Sequence, residues 1–315
     1  MLIGLCLIVF EHADAEVAAS HPARLSAQSL LLDVTFTGKR VIAVGQRGHI
    51  LVSDDLGLSW TQVQSPVNVL LSAVKMLDED TGFAVGHDAV ILRTKDAGNS
   101  WQLMHYAPHE ERPLLDVWFT DSMQGFAIGS FGFFLSTEDG GESWQPKTIS
   151  EDDYHLNAVA ADINPILYIG AEAGVAYRSD DAGKNFSEVD SPYSGSWFGV
   201  LAIPPDTVYL CGLRGGLYRS DDGGQSWRQI NTGTTATLTG IARFTNGGVV
   251  VTGLDGTLLI SFDGGQTFTL RQFPDRLGIS AAEVLPDNKL VLVGMFGVRY
   301  LESSEWMTEP LQIQN

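Results

Sequence analysis

An all-β propeller of seven four-stranded blades is the fold this sequence predicts, from a recurring turn phrase, a recurring glycine and runs of strand length between them. The phrase Ser53-Asp-Asp55-Leu-Gly57-Leu-Ser59-Trp60 returns at 94–101, 137–144, 179–186, 220–227 and 261–268 as S/T-x-D-x-G-x-[S/T/N]-[W/F]. Its acids Asp55, Asp96, Asp139, Asp181, Asp222 and Asp263 are spaced by 41, 43, 42, 41 and 41 residues. That is the period of a propeller blade. A glycine closing an apolar run occurs seven times, at Gly45, Gly86, Gly129, Gly170, Gly212, Gly253 and Gly294. A seventh unit therefore follows the sixth box, with Glu302-Ser-Ser-Glu-Trp306 as a degenerate box in which Ser304 stands where an acid is expected.

Within a unit the apolar runs are short and bounded by turn residues. The third reads 114–119, 125–129 and 133–136, then the box, then Trp144 onward, with no ten-residue stretch of helical periodicity. In the box, an acid followed two residues later by glycine suits a tight hairpin. The carboxylate accepts turn N–H groups, glycine takes positive φ, and the closing Trp or Phe packs on the neighbouring blade. A calcium loop needs more oxygen ligands than this spacing offers, so the six acids are expected to be structural.

At the start, Leu2–Phe10 is an unbroken apolar run, followed by His12-Ala-Asp-Ala15. Its length and small-x-small ending predict a secretory signal over residues 1–15, cleaved near Ala15, and are too short for a membrane span. Residues 16–29 form an N-terminal extension and residues 30–315 the propeller. Export then places the protein in the periplasm or otherwise outside the cytoplasm. The outer strand of the last blade is expected from Trp306 onward, with Ser20–Leu25 as the alternative, disfavoured by Pro22. Of the two cysteines, Cys6 lies in the leader and Cys211 in the apolar run Val208-Tyr-Leu-Cys211, where a buried inert thiol is expected.

Composition narrows the function classes. Hydrophobic residues make up 44% and charged residues 18%, which supports a packed core and excludes disorder. Acidic residues number 38 against 19 basic, a formal charge of −19 that repels nucleic acid and anionic membrane surfaces. Nothing resembles a P-loop, a nucleophile elbow or a dinucleotide fingerprint, so no cofactor is expected.

The boxes resemble Asp-box (BNR) repeats. Seven units in a chain of this size, with Leu31-Leu-Asp-Val34, Ala43-Val-Gly45-Gln-Arg47-Gly-His49 and Leu115-Asp-Val-Trp-Phe119, are similar to the Ycf48/Hcf136-like photosystem II assembly and stability factors. The resemblance covers roughly residues 29–306. It implies a seven-bladed propeller, an extracytoplasmic and non-enzymatic role in assembling a membrane-protein complex, and a client held by an arginine patch. The motifs that carry it do not locate that patch here. Asp boxes also occur in sialidases and other glycosidases, so a glycoside hydrolase or a lectin-like glycan binder is the alternative. Neither the three convergent arginines nor the F/Y-R-I-P phrase of a sialidase is evident, and Pro22-Ala-Arg24-Leu25 lacks that pattern.

The face opposite the boxes carries the turns after the seven glycines. Arg47, Asp88, Phe131, Glu172, Arg214, Asp255 and Phe296 are therefore the candidate partner-binding residues, expected to ring the central channel of a monomer. Two arginines, three acids and two phenylalanines suit a protein surface with aromatic anchors. The acids could supply a glycosidase pair, but an acid on an exposed turn is ordinarily just solvated. His105 and His109 bracket a link with Glu110 and Glu111, yet Pro108 breaks any helix that would align them, and no metal is expected. Trp197, in the link 191–197, is expected to pack in the core at the start of an inner strand.

Overall fold

A computed structural model describes residues 17–161 and 166–307. The leader, its cleavage point and Cys6 lie outside these residues. Seven antiparallel sheets follow one another along the chain, six of four strands and one, among the described residues, of three. The inner strands are Leu31–Phe36, Leu71–Met76, Leu114–Phe119, Leu156–Ala161, Trp197–Ile203, Leu238–Arg243 and Ile279–Val284. Each packs on the next, and the first on the seventh, so the ring closes. Behind each runs a buried second strand, fully so in blades such as the first, Val41–Gly45, and the seventh, Leu290–Gly294.

The core is distributed between blades rather than within them. Each hydrophobic cluster joins two neighbours: Ile42, Val44 and Val52 of the first blade with Leu71, Ala84 and Trp101 of the second, for example. The box aromatic is the recurrent bridge. Trp60, Trp101, Trp144, Phe186, Trp227 and Phe268 each pack on the cluster shared with the preceding blade. Trp306 does the same for the degenerate seventh box, 1% exposed and stacked on Phe244 at 4.5 Å.

The box satisfies itself. Ser220 Oγ donates to Asp222 Oδ1 at 2.7 Å and accepts Gly224 N–H at 2.8 Å, while Ser226 donates its N–H and its hydroxyl to the same carboxylate. The glycine is required twice over. Gly265 has φ of 79°, and a Cβ there would lie 2.0 Å from the Tyr209 hydroxyl of the preceding blade. The hydroxyl and amide of Ser226 hold the Asp222 carboxyl down at about 2. A depressed pKa contributes stability that is present above the ordinary carboxyl range and lost as pH falls through the folded value. Asp222→Ala should therefore lower the melting temperature at neutral pH, and the gap to wild type should close as pH approaches about 2. Thermal melts across pH check this.

The chain ends do not pair as a fourth strand of blade seven among the described residues. Ser20 and Ala23 instead bond to Ser65 and Gln62 of blade one, which removes the alternative placement of Ser20–Leu25. Ser303–Met307 is a single helical turn that seats Trp306. The expected outer strand from Trp306 onward falls, past Met307, outside the described residues.

Different devices close the inner ring. Asp33 accepts the N–H of Val74 from the next blade at 2.8 Å, and Asp116 that of Val159 at 2.9 Å. Asn157 Nδ2 donates to the Trp197 carbonyl at 2.9 Å, and Thr239 Oγ1 donates to that of Ile279 at 2.6 Å. Lys75 lies 4.3 Å over the Trp118 ring. Between blades five and six, Gly199 and Gly240 allow the backbones to touch; a Cβ on Gly199 would stand 3.2 Å from Gly240 Cα.

Candidate functional site

The turn joining strands two and three of each blade opens on the face away from the boxes. In six blades its apex residue is left-handed: Arg47, Asp88, Phe131, Ala173, Arg214 and Asp255, with φ between 51° and 58°. The conformation costs a non-glycine residue about 1 kcal/mol. It is imposed by bonds such as Gly212 N–H to the Gly216 carbonyl and Gly216 N–H to that of Leu213, both 2.9 Å. The side chain is thereby sent outward from the face.

Two of the seven expected positions require correction. In blade four the glycine marker is displaced by one, because Ala171, not Gly170, pairs with the start of the inner strand. Ala173 consequently holds the apex, and Glu172 sits beside it, half-buried, 3.4 Å from His155 Nδ1. In blade seven the turn is shorter, Gly294 pairing directly with Gly297. Phe296 lies beneath the guanidinium of Arg299, 4.2 Å from its ring centre, and is partly buried.

Nor do these residues line the channel. Among the described residues its wall is made by the seven inner strands, around a bore of about 420 Å³, and the charged groups in it are Asp33, Lys75, Asp116 and Glu283. The predicted residues stand farther out, on the face. Their neighbours divide that face. Phe131, 53% exposed, meets His155 edge-on at 4.7 Å, and the backbone of Asp152 and Asp153 in the adjoining link lies against the next residue, Gly132. Asp88 lies 3.4 Å from the Tyr106 hydroxyl.

Blades five and six differ. A groove of about 790 Å³ runs between Arg214, the link 229–235, Asp255, Gln272 and Arg276. The link is seated tightly: Thr232 Oγ1 donates to the Gly215 carbonyl at 3.0 Å, and a Cβ on Gly215 would lie 2.0 Å from the Thr234 oxygen. Arg276 Nη1 donates to Asp255 Oδ2 at 2.9 Å, and Gln272 Nε2 to the same oxygen at 2.8 Å. Among the described residues Arg214 has neither a hydrogen-bond nor an ion-pair partner, so its five donors face solvent at the groove's rim. Exposed Leu254 and Met295 extend the same side of the face over Gly278.

The acids offered for catalysis are committed locally: Asp88 to Tyr106, Glu172 to His155, Asp255 to Arg276 and Gln272. His105 and His109 do not converge with other ligands; no group of three or more His, Cys, Asp or Glu among the described residues could hold a metal. Cys211 is fully buried, and burial pushes its thiol up to about 12. Trp197 is fully buried at the start of its inner strand, as expected. No helix among the described residues is long and apolar enough to cross a membrane.

Among solved structures, "YCF48 bound to D1 peptide" superposes with a TM-score of 0.71 at 19% identity, covering 87% of this chain and 94% of that one. YCF48 from Cyanidioschyzon merolae gives 0.68 at 18%, covering 86% and 94%. The WD40 propeller domain of Doa1 gives 0.70 at 12%, covering 92% and 97%, so these likenesses establish the fold alone. No curated protein matches the chain in sequence. The family model described as photosynthesis system II assembly factor YCF48 matches residues 13–113 and 107–272, most of the chain, and the protein therefore belongs to that family.

Proposed function

We propose that this protein is a non-catalytic, extracytoplasmic assembly or stability factor that holds a water-exposed segment of a membrane-protein subunit in the groove between blades five and six. The observation that carries this reading is the unpartnered guanidinium of Arg214 at the rim of a groove whose polar lining is amides, hydroxyls and an ion pair. Such a lining suits an extended peptide. Arg214 bonds a carboxylate or backbone carbonyls, while Gln229, Asn231 and the threonines serve as further donors and acceptors. Family membership and the relative bound to a D1 peptide support a polypeptide ligand. Export rests on the apolar run Leu2–Phe10 and the ending at Ala15.

On a chain of formal charge −19, an unpartnered guanidinium at the rim of this groove attracts an anionic segment to it. Affinity purification of the full chain from its native envelope should capture a membrane protein, and the purified chain should release no sugar from a glycoside panel. Turnover of a glycoside with no membrane protein captured would overturn the reading in favour of a hydrolase.

A further inference from the structure

The groove between blades five and six is polar, and the surface beside it is not. The residue that opens each face turn, directly after the second strand, is polar on blades one to four, from Gln46 to Glu172, and apolar on blades five to seven: Leu213, Leu254 and Met295. Leu213 is half-buried, whereas Leu254 is 46% and Met295 59% exposed. The fold does not require an apolar side chain there. Leu254 N–H donates to the Thr237 carbonyl at 2.8 Å and Met295 N–H to that of Gly278 at 3.0 Å, and Gln46 and His87 make the corresponding bonds at 3.1 and 2.9 Å with polar side chains.

The two exposed side chains converge. A Cβ on Gly278 would lie 2.9 Å from Leu254 Cδ2 and 3.4 Å from Met295 Sδ, so both close over that glycine, which is buried beneath them. Together they make an apolar shelf across the joint of blades six and seven. Shelf and groove are continuous, because Leu254 directly precedes Asp255 of the groove wall. The Asp255 carboxylate is held by Arg276 and Gln272, at 2.9 and 2.8 Å, so the acid next to the shelf is compensated and does not turn away an anionic segment.

We infer that the segment docked here joins an acidic residue to an apolar one, its carboxylate on Arg214 and an aliphatic or aromatic side chain on the shelf of Leu254 and Met295. This rests on the docking reading and states what the segment must carry. A flexible methionine beside a leucine adapts to side chains of different shape, so the shelf selects for apolarity rather than for one residue. Covering it removes apolar surface of both partners from water, which adds affinity that salt does not screen. A polypeptide supplies both groups a few residues apart. An anionic membrane surface also pairs charge with apolar matter, but a chain at −19 is repelled by it.

The test is selection from a random peptide library displayed on phage, against wild type, Arg214→Glu and the double variant Leu254→Ser with Met295→Ser. Wild type should enrich peptides that carry an acidic residue and an aliphatic or aromatic one at a constant separation. Arg214→Glu should lose the acidic preference, and the double variant should keep it while losing the apolar one. A synthetic peptide of the enriched sequence should bind the double variant about tenfold more weakly than wild type, and high salt should not abolish that difference. An acidic preference without an apolar one in wild type, or the same enriched set on the double variant, would overturn this inference and leave the docking reading standing. No enrichment by wild type, or an acidic preference untouched by Arg214→Glu, would overturn the docking reading and the inference with it. Wild type binding to phosphatidylcholine vesicles in place of peptides would assign the shelf to lipid and overturn the inference as well.

Discussion

Trp197→Ala should destabilise the propeller by about 3–5 kcal/mol, the largest loss expected from a single truncation in this chain. The indole is fully buried, with its centre 5.0 Å from the Tyr193 ring and 5.5 Å from the Tyr218 ring. Its Nε1–H donates to the Gly174 carbonyl at 3.0 Å, which ties the inner strand of blade five to the face turn of blade four. Truncation opens a cavity at that junction and strands a carbonyl. Trp197→Phe keeps most of the packing and should lose only the share of that bond, about 1 kcal/mol. Urea unfolding monitored by circular dichroism measures both, and equal losses would show that packing is not the main contribution.

The fold was legible because each blade depends on a turn whose chemistry is local. The acid, the hydroxyls two residues before and four after it, and the left-handed glycine all lie within one box, so the phrase survives in sequence without knowledge of the fold. The box aromatic is legible for a related reason, since its place in the turn decides which neighbouring blade it meets. Even the degenerate box places Trp306 correctly without its acid, because packing on Phe244 does not need the carboxylate.

The face was legible only in part. Glycine marks the second-strand ends because a Cβ at Gly45 would lie 2.3 Å from the Leu30 carbonyl, a demand for space that alanine meets in blade four by a changed backbone angle at Ala171. Reading the second glycine of each turn, Gly48, Gly132, Gly174, Gly215 and Gly256, would have placed that apex at Ala173. Phe296 was misplaced because a shortened turn leaves no signature in composition. The groove escaped notice because its lining comes from two blades and a link, and only Arg214 and Asp255 carry the repeat's spacing. The bore's charges were visible in Leu31-Leu-Asp-Val34 and Leu115-Asp-Val-Trp-Phe119, but strand periodicity alone does not say that this position faces a channel.

Charge reversal at Arg214 should produce the largest functional effect. An unpartnered guanidinium needs no internal bond broken to be replaced, so Arg214→Glu should melt as wild type does. In the docked state it would set a carboxylate against the segment's own anionic or carbonyl groups, which should weaken binding at least tenfold, about 1.4 kcal/mol or more. Lys184→Glu makes the same charge change on the box face, where no docking is proposed, and is the matched control. The decisive measurement is the amount of membrane protein captured from the native envelope by wild type, Arg214→Glu and Lys184→Glu at equal loading. The groove assignment predicts capture reduced about tenfold or more by Arg214→Glu and unchanged by Lys184→Glu; equal capture by all three proteins would contradict it.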